Sequence, residues 1–127
     1  MHLAGVVPTG IDIISTSEHA SGVHRHLEAL YGDRINLLDF PSVTAAHSRK
    51  ASKGNALALL ANDLGVEPHA VLAIGDSVND ASMLRWAGRG VAMPHADRYA
   101  REAAEEVLGG IGVSELAPLL RSILNAR

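Results

Sequence analysis

The sequence predicts an α/β fold, and three observations carry that expectation. From Ser52 onward, helical stripes and short apolar runs follow one another in the order α, β, α, β, α, α, the pattern of a parallel sheet with helices packed on it. The run Ala70 to Ile74 (AVLAI) is apolar throughout and stops at Gly75, as a strand buried on both faces does. The first 50 residues read differently, as strand, helix, strand, strand.

The elements can be justified in chain order. Gly5 to Ser15 is extended and rich in β-branched residues. Pro8 and Gly10 interrupt it, which places the strand proper at Ile11 to Ser15. Ser17 is a capping residue for a helix from about Glu18 to Tyr31. Val23, Leu27 and Leu30 form its apolar face, and Gly32 with Asp33 ends it. Two strands follow, near Arg34 to Phe40 and near Ser42 to His47, with a turn at Pro41. Ser52 then caps a helix with a stripe of Ala56, Leu57, Leu60 and Leu64, closed by Gly65. After Pro68 come the AVLAI strand, a helix from about Asn79 to Ala87, a short buried strand from Gly90 to Met93 and a helix from about Asp97 to Val107. Gly109-Gly110 breaks the chain. Ser114 caps a last helix bearing Leu116, Leu119, Leu120 and Ile123.

Composition narrows the function classes. Aromatic residues are only 3% of the chain, so the core must be built from Ala, Val, Leu and Ile. The net charge of -3, without a basic stripe, argues against a nucleic-acid partner. Cysteine is absent, which removes disulfides and thiolate metal sites and fits a cytoplasmic location. No apolar run approaches the ~18 residues that cross a membrane, and the N-terminus lacks the pattern of a signal peptide. The histidines (His2, His19, His24, His26, His47, His69 and His95) show no metal-binding spacing. His24 and His26 are two positions apart on a helix, and no HExxH-like pair exists, so a histidine metal site is not expected.

Two local signals carry chemistry. Gly75-Asp76-Ser77-Val78-Asn79-Asp80 follows the AVLAI strand directly, and in open α/β sheets ligands bind beyond the carboxyl ends of strands. Asp76 at the strand end and Asp80 one helical turn later suit a hard cation such as Mg2+, which prefers oxygen ligands. The same residues also make ordinary turns and helix caps. The second signal is Ser52-Lys53-Gly54. A lysine in the first turn opposes the helix dipole, and it makes sense where lysine and helix terminus face a phosphate together. Taken alone, Lys53 reads as a solvated surface lysine.

Joined in order, the signals form a specific pattern. Lys53-Gly54-Asn55-Ala56-Leu57, then Ile74 to Leu84, then Ala87-Gly88 and Gly90-Val91-Ala92-Met93, resembles the C-terminal core of phosphatases of the haloacid dehalogenase (HAD) superfamily, and most of all the Cof-type branch with an α/β cap. The likeness is strong over about Ser52 to Val107 and weaker before it. It implies a partial HAD-like Rossmannoid parallel sheet at residues 50–127, preceded by a βαββ part of a cap at residues 1–49. It also implies site roles: Lys53 steadies the nucleophile and the transferring phosphoryl group, Asp76 is an acidic ligand of Mg2+, Asp80 holds the lysine or supports the metal shell, and Asn79 lies near the phosphate. The implied reaction is hydrolysis of a small phosphorylated metabolite through an aspartyl-phosphate.

The sequence departs from the family at one point. Before Lys53 there is no DxDxT-like nucleophile motif, since Asp12-Ile13-Ile14 lacks the second aspartate and Asp39-Phe40-Pro41 has proline in its place. The expectation is therefore a fragment of the catalytic core, inactive alone. The strand after Pro68 would have an open edge, to be filled by a partner chain or by self-association. The alternative is a non-catalytic remnant or regulatory module that keeps the fold. A P-type pump domain has a similar GDGxND stretch, but the chain has neither membrane helices nor that family's phosphorylated motif.

Overall fold

A computed structural model describes residues 8–109 and 116–126. The chain divides into two compact units, Met1–Ala51 and Ser52–Arg127. The residues expected as extended at 5–7, the capping Ser114 and Gly110 lie outside the described residues, as does His2.

Among its described residues the first unit is a three-stranded antiparallel sheet with one helix. It comprises β1 (Gly10–Ile14), α1 (Ser17–Tyr31), β2 (Ile35–Phe40) and β3 (Val43–Ser48). The strand order is β1-β3-β2. Phe40 pairs with Val43, so Pro41 and Ser42 form the two-residue turn of the β2–β3 hairpin. α1 packs on β2 and β3. Two expectations for α1 are corrected. Thr16, not Ser17, occupies the capping position, and its side chain makes no capping bond to the backbone. The face turned inward is Ala20 and His24, with Val23 and Leu27 half-buried, whereas Leu30 is exposed. The aliphatic stripe pointed to a face rotated from the one that packs.

The second unit is layered. It comprises α2 (Lys53–Leu64), a 3-10 turn (Pro68–Ala70), β4 (Leu72–Gly75), α3 (Ala81–Trp86), β5 (Arg89–Ala92), α4 (Arg98–Ala103), β6 (Glu106–Val107) and α5 (Leu116–Leu124). The three strands form a parallel sheet in the order β4-β5-β6. Successive side chains of a strand point to opposite faces, so β5 sends Val91 to one core and Ala92 to another. Ala92 joins Ala73, Leu84 and Ala100 among α3 and α4. Val91 joins Met93, Leu108 and Leu119, the last from α5. Among the described residues no helix is long and apolar enough to cross a membrane.

Three boundaries differ from the sequence expectation for physical reasons. The AVLAI strand begins only at Leu72, because Pro68 to Ala70 wind into the 3-10 turn. The helix expected from Asn79 begins at Ala81, because the preceding residues form the site loop described below. The helix expected to reach Val107 stops at Ala103, and Glu106 and Val107 form β6. Their free choice is overridden by the edge of β5, where Glu105 N–H donates to the Gly90 carbonyl at 2.9 Å and Leu108 N–H to that of Ala92 at 2.9 Å.

The expected stripe of α2 is also corrected. Ala56, Leu60 and Leu64 are exposed, and the buried positions are Gly54 and Ala61, with Leu57 half-buried. α2 meets α3 through small residues. A Cβ on Gly54 would lie 2.5 Å from the Ser82 carbonyl oxygen, so only glycine permits this approach.

Candidate active site

The loop between β4 and α3 folds around one carboxylate. Asp80 is almost wholly buried, and its Oδ2 accepts hydrogen bonds from the backbone N–H groups of Asp76 at 2.9 Å and Ser77 at 3.2 Å. The loop turns this tightly because Gly75 has no side chain. A Cβ there would stand 2.5 Å from the Asp80 Cβ. The other oxygen, Oδ1, receives the Lys53 Nζ at 2.5 Å. Lys53 comes from the first residue of α2, where Ser52 caps the helix by accepting from Asn55 N–H at 3.1 Å. Gly54 N–H donates to Ser82 Oγ at 3.0 Å, which fastens that same first turn to α3.

The two aspartates of the motif therefore face different surroundings. Asp80 turns inward with both oxygens engaged. Burial works to raise its pKa, but the hydrogen bonds from Lys53 and from the Asp76 and Ser77 amides, with the lysine's charge, outweigh it and hold Asp80 below the ordinary aspartate value of 3.8. Asp76 turns outward at the carboxyl end of β4, and its side chain is 48% exposed. Asn79 is half-buried, and its Oδ1 accepts from the Ser77 hydroxyl.

A second loop, between β5 and α4, closes around the first. Asp97 caps α4 through Oδ1, which accepts from Ala100 N–H at 2.9 Å. Its Oδ2 accepts from Val78 N–H at 2.7 Å. Asp97 N–H in turn donates to the Asp76 carbonyl at 2.8 Å. His95 Nε2 lies 3.0 Å from Asp76 Oδ2. Neither Asp97 nor His95 was singled out for the site from the sequence. Asp97 carried a readable signal as a helix cap, but its reach to Val78 spans 19 residues. His95 carried no local signal.

The donor set fits Mg2+ in kind. Asp76 offers a half-exposed carboxylate, and a protein site for Mg2+ commonly supplies only one or two carboxylates and leaves the rest to water and phosphate. Among the described residues no three His, Cys, Asp or Glu side chains are grouped to hold a metal by themselves. Asp80 has its two oxygens committed to Lys53 and the loop amides, so of the two roles the resemblance left open for it, this arrangement favours holding the lysine.

Fold and site together define a class, and comparison with known proteins names it. The haloacid dehalogenase-like hydrolase family matches residues 4–110, and the chain belongs to that family. It is 36% identical over 103 residues to a phosphoglycolate phosphatase of Methanopyrus kandleri, covering 80% of this chain and 44% of that protein. It is 50% identical over 60 residues to the phosphatase YwpJ of Bacillus subtilis, covering 47% of this chain and 21% of that one. The chain thus spans less than half the length of these relatives. Among solved structures, a haloacid dehalogenase-like hydrolase from Bacteroides thetaiotaomicron aligns with a TM-score of 0.66 at 27% identity, over 95% of this chain and 47% of that one. A haloacid dehalogenase-like hydrolase from B. subtilis aligns with a TM-score of 0.66 at 34% identity, over 78% of this chain and 35% of that one.

Proposed function

We infer that this chain supplies the lysine and the metal-binding carboxylate of a Mg2+-dependent phosphatase acting on a small phosphorylated metabolite. The observation that carries the reading is the Lys53–Asp80 pair beneath an outward Asp76, all at the carboxyl end of β4. Phosphoryl transfer is chiefly positioning and charge neutralisation, and these are the tasks such residues perform. Asp80 fixes the Lys53 ammonium, which is half-exposed and so able to meet the phosphoryl oxygens. Asp76 would hold Mg2+, and Asn79 would stand near the phosphate. Bound Mg2+ would supply Lewis-acid neutralisation of the phosphate charge.

The nucleophile of the reaction is read as an aspartate outside residues 1–127, since no DxDxT-like motif occurs within them. Its carboxylate would attack phosphorus, release the alcohol and form an aspartyl-phosphate that water then hydrolyses. Residues 1–49 are read as part of a cap. Two features support a segment or partner completing the second unit. Among the described strands β4 is paired on one side only, and Leu59, Leu60 and Leu64 are 69%, 55% and 67% exposed.

The test is phosphatase assay of the chain reconstituted with a DxDxT-bearing segment or partner, with 2-phosphoglycolate as first substrate because of the M. kandleri relative. Asp76→Asn and Lys53→Met should each lower kcat by about 10²–10³. Full activity in either variant would remove that residue from the mechanism. Mg2+ binding without turnover in every reconstitution would favour the non-catalytic alternative.

A further inference from the structure

We propose that Arg101 is a positioning residue for the site, clamping the segment that holds Asp76 in place. The proposal rests on the reading of Asp76 as the Mg2+ ligand and adds a residue that touches neither ion nor substrate. Arg101 belongs to α4, and its side chain reaches back over the loop that precedes that helix. Its Nε donates to the Ala96 carbonyl at 2.9 Å, and its Nη2 donates to the Pro94 carbonyl. These two acceptors belong to the residues on either side of His95.

The clamped segment is the one that grips the Asp76 loop. His95 Nε2 lies 3.0 Å from Asp76 Oδ2, Asp97 N–H donates to the Asp76 carbonyl at 2.8 Å, and Asp97 Oδ2 accepts from Val78 N–H at 2.7 Å. Pro94 to Asp97 lie between β5 and α4 and belong to neither, so no helix or strand ladder fixes their peptide groups. A guanidinium is planar and carries its donors in a fixed fork. One edge of it holding two carbonyls therefore sets both their spacing and their direction. A lysine ammonium is a point donor on a flexible stem and imposes no such geometry. The simpler role for Arg101 is that of a cation in the last turn of α4, where positive charge complements the helix dipole. Lysine would serve that role equally well, so a single substitution separates the two readings.

The experiment uses the full chain and the variants Arg101→Lys and Arg101→Ala. Mg2+ affinity is read from the Asp76 amide by NMR, and hydrogen exchange of the Asp97 and Val78 amides is measured without metal. Both variants should bind Mg2+ about three- to tenfold more weakly than the wild type. Both should also exchange faster at Asp97 and Val78, while Leu84, whose N–H donates to the Asp80 carbonyl at 3.0 Å, keeps its wild-type rate. Wild-type affinity and exchange in Arg101→Lys would reduce Arg101 to a helix-end charge and overturn the clamp. Equal quickening at Leu84 would mean general loosening of the fold and would overturn it too. Unchanged Mg2+ binding in Asp76→Asn would remove Asp76 as a metal ligand. The clamp then stands or falls on the metal-free exchange alone, with quickening at Asp97 and Val78 in Arg101→Lys supporting it and wild-type rates overturning it.

Discussion

Lys53 Nζ lies 2.5 Å from Asp80 Oδ1, joining the first residue of α2 to the residue just before α3 across 27 positions of sequence. Asp80 also receives two backbone amides on its other oxygen, so its carboxylate organises both the lysine and the loop that presents Asp76. The surface half of the ion pair is worth little by itself, because Lys53 is half-exposed. The buried amides matter more.

Asp80→Asn should therefore lower stability at neutral pH by about 1–3 kcal/mol, since asparagine has one acceptor oxygen where the aspartate uses two. The pH dependence has a definite sign. Asp80 binds its proton less tightly folded than unfolded. Its contribution is complete above the ordinary value of 3.8 and is lost as pH falls through the lower folded value. Urea unfolding between pH 6 and pH 3 should show a shallower acid decline in Asp80→Asn than in the wild type. Parallel declines would mean that Asp80 is not the titrating group.

Asp97 offers a test of how the two loops are coupled. It caps α4 and accepts from Val78 N–H with the same carboxylate. Asp97→Ala should cost about 1.5–5 kcal/mol, the sum of a lost cap and an unsatisfied buried amide. Hydrogen exchange at the Val78 and Ala100 amides should quicken together. Faster exchange at Ala100 alone would reduce Asp97 to a helix cap.

Glycine-to-alanine substitutions should change sign between the two units. Gly22 sits inside α1 with open space where a Cβ would go, so Gly22→Ala should stabilise by about 0.5–1 kcal/mol through backbone entropy. Gly54 sits inside α2, where the same propensity gain applies, but a Cβ would strike the Ser82 carbonyl. Overpacking there should dominate and destabilise by about 1–3 kcal/mol. Thermal melts of the two variants measure this directly, and a stabilised Gly54→Ala would show that α2 is not seated on α3 as described.

The site motif was legible because its spacing is local. Gly75 through Asp80 follows an apolar strand, and strand-end loops carry ligands in such sheets. Helix faces were less legible. Leu60 and Leu64 form the obvious stripe of α2, yet Gly54 and Ala61 make its packed side. Residue size misled the reading, since close helix approach selects small residues over apolar bulk. β6 was illegible for another reason. Glu106 and Val107 have no strand pattern of their own, and only the edge of β5 makes them one.

By itself, the sequence determined the α/β class, the strand–loop–helix that carries Asp76 and Asp80, and a lysine at a capped helix start. Hydrophobic period and capping chemistry act over a few residues, so they can be read along the chain. The tertiary structure alone decided that Asp80 turns inward to Lys53 while Asp76 turns outward to His95. Those choices depend on contacts across 19 to 27 residues and on the room left by Gly75 and Gly54. Such contacts arise only when packed loops bring distant side chains within bonding distance.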